Sequence, residues 1–149
     1  MRNALQERCD KIEECYEFLL AYATQGLRDD RGSPSGGELR EFLGRCDDAL
    51  TGLAALFRQI VEEDQRQPAA RYHAFLAVLD RDARDAQAAV QLVLAQPAIS
   101  SQLIDNLNAS IHLRALLTDL FLIDEILRPH EATMPASRST SGLARLDFP

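Results

Sequence analysis

Apolar residues recur along most of this chain at alternating steps of three and four, the spacing that lines them up on one side of an α-helix. In the first segment Leu5, Cys9, Ile12, Tyr16, Leu19 and Ala23 keep that step, with Cys15, Phe18 and Tyr22 beside them. Arg8, Lys11, Glu13, Glu14 and Glu17 fall largely off the seam. The pattern predicts a helix from about Asn3 to Gln25, closed by Gly26, which tolerates the left-handed backbone of a helix end. From Arg28 to Gly37 the period is lost, and R-D-D-R-G-S-P-S-G-G reads as a mobile connection. Ser35 and Glu38 have the spacing of a capping box and open a second helix to about Gln65, along Leu39, Leu43, Cys46, Leu50, Leu53, Phe57 and Ile60. Pro68 suits the first turn of a third helix, whose inner face runs from Tyr72 and Phe75 through Leu79, Ala83, Ala86 and Val90 to Val93.

The fourth segment, Ser100 to Arg128, is the most apolar. Leu113, Leu116, Leu120, Ile123 and Leu127 form its seam, and Ile104, Leu117, Phe121 and Leu122 widen it until the middle is apolar on most sides. A helix of that character is expected to be buried, so it is read as the central helix, capped by Ser100 or Ser101. Four helices on short connections predict an all-α protein, an antiparallel up-down-up-down four-helix bundle over residues 1–129. The competing arrangement is a helical hairpin pair completed by dimerisation. Residues 130–149 lack periodicity and are rich in small polar residues, as a disordered C-terminal tail is. Leu143, Leu146 and Phe148 stand out in it as apolar anchors for a partner.

Composition narrows the function. With 149 residues, 46% of them hydrophobic, the chain is one ordinary domain able to bury a core. A net charge of -7 and a single lysine, Lys11, argue against nucleic acid, whose phosphates need clustered basic groups. No uncharged run is long enough for a membrane span and no leader is evident, so a cytoplasmic protein away from membranes is expected. Three cysteines with no CxxC spacing fit reduced thiols. Glu62, Glu63 and Asp64 close the second helix with the wrong sign for its dipole. Together with Asp124 and Glu125 they are expected at one end of the bundle, as an acidic surface that would steer a basic partner.

Motifs for catalysis are missing: the chain has no GxGxxG, no P-loop and no G-x-S-x-G. Gly36–Gly37 at a helix start could hold an anion, but reads more simply as a turn. A di-iron bundle needs Glu-x-x-His twice, and none of His73, His112 and His130 has a Glu three residues before it. One polar constellation remains. Asp105, His112 and Asp119 are seven apart, and counting residues from the bundle's top puts Cys15, Cys46, His112 and Asp85 at one height. Two thiols and an imidazole at one level could bind zinc or copper, although Cys46 and His112 also read as ordinary core and polar-face residues. Arg114 and Asp119 on so apolar a helix imply buried partners, an oligomer interface or a solvated strip. The function expected is a cofactor-free, non-catalytic interaction protein (adaptor, assembly factor or regulator) that binds a protein partner, with a homodimer as one form. The alternative is a metal- or thiol-redox-active bundle using Cys15, Cys46 and His112.

Overall fold

A computed structural model describes residues 2–128, and all the regular structure among them is helical. In chain order the helices are α1 (Arg2–Ala23), α2 (Pro34–Leu50), α3 (Leu53–Glu63), α4 (Ala69–Leu94), α5 (Ser101–Ala109) and α6 (Ile111–Leu127). The predicted tail, with Leu143, Leu146 and Phe148, lies outside the described residues. None of the helices among the described residues is long and apolar enough to cross a membrane.

Two helices expected to be continuous are each broken in two, so six helices stand where four were predicted. The second breaks at Thr51–Gly52. Gly52 takes a left-handed backbone, φ 67°, at little cost because it has no Cβ, while the Thr51 hydroxyl donates back to the Asp47 carbonyl. The fourth breaks at Ser110, which is extended; its hydroxyl donates to the Leu107 carbonyl at 2.6 Å and its amide to Asn106 and Leu107. In both places a short hydroxyl side chain satisfies carbonyls that the next turn would have used, and the helix restarts two residues after Thr51 and one after Ser110.

The helix starts also differ from expectation. Ser33 caps α2, accepting from the Gly36 amide at 3.0 Å with Pro34 in the first turn, so Ser35 lies inside the helix and forms no capping box. Ser100 caps α5 through the Leu103 amide. Ser101 is buried instead, accepting from the Leu27 amide and donating to the Tyr22 carbonyl.

α1 packs on α2, α3, α5 and α6, while α4 packs on α2, α3 and α6. A single core cluster draws side chains from all six helices, among them Leu19, Leu39, Phe57, Leu79, Ile104 and Leu120. At one pole Arg2 and Arg66 bond to carbonyls at the end of α6 and pair with Asp64 beyond α3. At the other, Asp30 is only 5% exposed in the stretch read as a mobile connection. It accepts from Arg40 at 2.7 Å and from the Ile99 amide at 2.8 Å, and Arg40 also reaches the carbonyls of Leu94 and Gln96. The backbone of Asp30 lies so close over Gly36 that a methyl there would overlap the Asp30 carbonyl. That packing accounts for the glycine, and the Gly36 and Gly37 amides already donate to the Ser33 hydroxyl and carbonyl. The expected seam of α6, Leu113, Leu116, Leu120, Ile123 and Leu127, is buried, but the helix is not apolar-buried all round: Ile111, Leu122 and Ile126 are 72%, 52% and 44% exposed.

Candidate functional site

The open side of α6 adjoins α4, and the two helices are packed together. Leu122 and Ile126 follow Asp119 by three and seven residues, and Ala115 precedes it by four, so all share one stripe of α6. Val78 precedes Asp82 by four on α4 and is 48% exposed. Asp82 and Asp119 meet across the helix contact. Burial first, then a hydrogen bond with Asp82 and its charge, raises the Asp119 carboxyl to about 7. Its second oxygen, Oδ2, is buried and has no hydrogen-bond partner. Near neutral pH a good part of the Asp119 carboxyl therefore remains protonated, and in that form it can donate to Asp82. The result is an apolar row interrupted by two acids. Such a row can take apolar side chains of a partner, with a Lys or Arg set between them.

Cys15 and Cys46 come together as their equal distance from the intervening turn implies. They are 1% and 0% exposed on the adjoining helices α1 and α2 and are close enough to act on one another. The neighbouring Cys46 thiol, together with burial, pushes the Cys15 thiol far above its ordinary value. Cys9 is raised to about 12 by burial and by the nearby Asp124, Glu13 and Asp10. It lines a cleft of about 280 Å³ between Phe57, Ile60 and Leu127. All three thiols are free of disulfides. His112 is exposed on α6 and Asp85 on α4, so neither joins the buried thiols. Among the described residues no group of three or more His, Cys, Asp and Glu is arranged to hold a metal ion.

The acidic pole is real but mixed. Glu62, Glu63, Asp124 and Glu125 are exposed there, whereas Asp64 is engaged by Arg2 and Arg66. Arg128 lies 3.6 Å from both Asp124 and Glu125. Arg114 is exposed and Asp105 sits on a different helix from His112, so the proposed seven-residue stripe is cut at Ser110. Asp82 is the site residue that sequence reading missed. Its signal was its place between Leu79 and Ala83, on the flank of the inner face and away from the solvated Asp80–Arg84 pair. Comparison of the chain with family models, curated proteins and solved structures found no match.

Proposed function

We propose that this protein is a non-catalytic interaction module that docks a protein partner on the outer face of α4 and α6. In this reading α2–α3 and α5–α6 each act as one kinked rod, so that four antiparallel rods enclose the core and leave one face for binding. The observation that carries the proposal is the exposed apolar row of Val78, Leu122 and Ile126 around the proton-sharing pair Asp82–Asp119. Helix faces that serve only solubility carry charge, and a contiguous exposed apolar row is what marks a docking surface, here with a carboxyl pair able to set its polarity. The exposed acids Glu62 and Glu63 raise the encounter rate with a basic partner, and Leu143, Leu146 and Phe148 supply further anchors.

The test is capture from the native host by the full chain, compared with a Leu122→Ser/Ile126→Ser variant and with a chain ending at Ser139. Both side chains are exposed, so the double variant should unfold within a few degrees of wild type. It is expected to lose the captured protein, and high salt should weaken capture by the unmodified chain. Equal recovery on wild type and the double variant would remove the α4–α6 face from the proposal. Equal recovery without the tail would remove only the tail.

A further inference from the structure

The contact between α1 and α2 holds two sulfurs that docking does not use. Cys15 and Cys46 lie on neighbouring helices, their side chains within hydrogen-bond reach and sealed from solvent. A disulfide requires sulfurs on adjacent backbones drawn to bonding distance, a closure on the order of 1–2 Å from a thiol–thiol hydrogen bond. The sealed environment works against reaction in the closed state. No basic group is among the causes acting on Cys15, and a thiol held so far above its ordinary value supplies almost no thiolate. Reaction therefore waits for α1 and α2 to part. Local opening of this kind is a normal property of folded chains.

We propose that Cys15 and Cys46 are a latent disulfide, closed by a small disulfide oxidant such as glutathione disulfide when α1 and α2 transiently separate, and locking the two helices together once formed. In the opened state one cysteine releases its proton to water and its thiolate attacks a sulfur of the oxidant. The oxidant's sulfur–sulfur bond breaks, and one small thiolate leaves and takes up a proton. The second cysteine, deprotonated in turn, attacks the protein sulfur of the mixed disulfide and expels the other small thiolate. Two protein thiols and one small disulfide thus become one protein disulfide and two small thiols, with two electrons passing to the reagent. The bond would close a loop of roughly 30 residues that contains the Asp30–Arg40 clamp, restricting the unfolded chain more than the folded one. Cys9 is an internal control. Its shift comes from burial and carboxylates, with no thiol among the causes.

The experiment uses the full native chain, incubated with glutathione disulfide at mildly alkaline pH, then read by intact mass, disulfide mapping and thermal unfolding. The expected result is one intramolecular Cys15–Cys46 bond, no lasting glutathione adduct, and a rise in Tm of about 10 °C that dithiothreitol reverses. Cys9→Ser should behave as wild type. Cys46→Ser should stop at a glutathione adduct and show no gain in Tm. Mapping on the wild-type chain is decisive even if a cysteine variant folds poorly. A bond involving Cys9, an oxidised chain with a lower Tm, or a native chain that stays reduced while the same chain in urea oxidises would each overturn the proposal.

Discussion

Adjacent glycines in this protein answer to opposite demands. Gly36 is buried under the Asp30 backbone, and any Cβ there displaces the connection that carries the Asp30–Arg40 pair. Gly37, one residue on, has nothing within 4 Å of a Cβ position and stands in the first turns of α2. Gly36→Ala should therefore cost about 1–3 kcal/mol, as overpacking does. Gly37→Ala should stabilise by about 0.5–1 kcal/mol, the difference between glycine and alanine in a helix. Chemical denaturation of the two variants separates them by sign. If both prove neutral, the connection gives way freely and Asp30 is not the anchor described. The same residues show why this region reads as mobile from sequence alone. Glycine, proline and serine mark a turn whether it is loose or tied down, and the tie here comes from Arg40, just past the stretch, and from Leu94 and Ile99, far away in sequence.

At the scale of the elements, apolar spacing made the helical class legible because one stripe per helix is what a shared core requires. Helix number was not legible. A break of one or two residues at Gly52 or Ser110 leaves the next apolar residue on the same side, so the period runs through it. Nor did the period tell whether the apolar residues flanking the α6 seam are covered. An apolar residue at Leu122 or Ile126 counts equally toward a fully buried helix and toward one with an open face. The contact between α4 and α6 has a titration of its own, because Asp119 is raised above its unfolded value by burial and by Asp82. Between about pH 4 and its folded value near 7 the native chain holds a proton that the unfolded chain has released. That contribution is complete below the unfolded value and is lost as pH rises through the folded one. Asp30 has the opposite sign. The hydrogen bond and charge of Arg40 lower it, so its share is lost as pH falls. Asp119→Asn should raise Tm at pH 8, change it little at pH 5, and leave the acid limb intact. Thermal unfolding at several pH values checks this, and an equal shift at pH 5 and pH 8 would mean that the gain is packing rather than proton linkage.

Across the whole molecule the six helices form one cooperative unit or they do not, and the contacts favour one. The core cluster includes side chains from every helix, so no helix can leave without opening a cavity in its neighbours. Both poles are tied as well: Arg2 and Arg66 hold the end of α6, and Tyr22, Asp30 and Arg40 hold the stretch between α4 and α5. α6 keeps exposed apolar side chains on its outer side, which makes it a useful place to test cooperativity. Far-UV circular dichroism reports all the helices. With no tryptophan in the chain, tyrosine emission reports Tyr16 and Tyr22 on α1 and Tyr72 on α4. In urea the two signals should give one coincident transition. Leu120, 2% exposed on α6, provides the perturbation: Leu120→Ala should lower stability by about 2–5 kcal/mol, as large-to-small core changes do. If α6 belongs to the cooperative unit, that loss moves both signals by the same amount, although the tyrosines lie on α1 and α4. A fall in the dichroism midpoint with the tyrosine midpoint unmoved would instead make α5–α6 a separately melting flap. The α4–α6 face would then be a hinge rather than a fixed platform for docking.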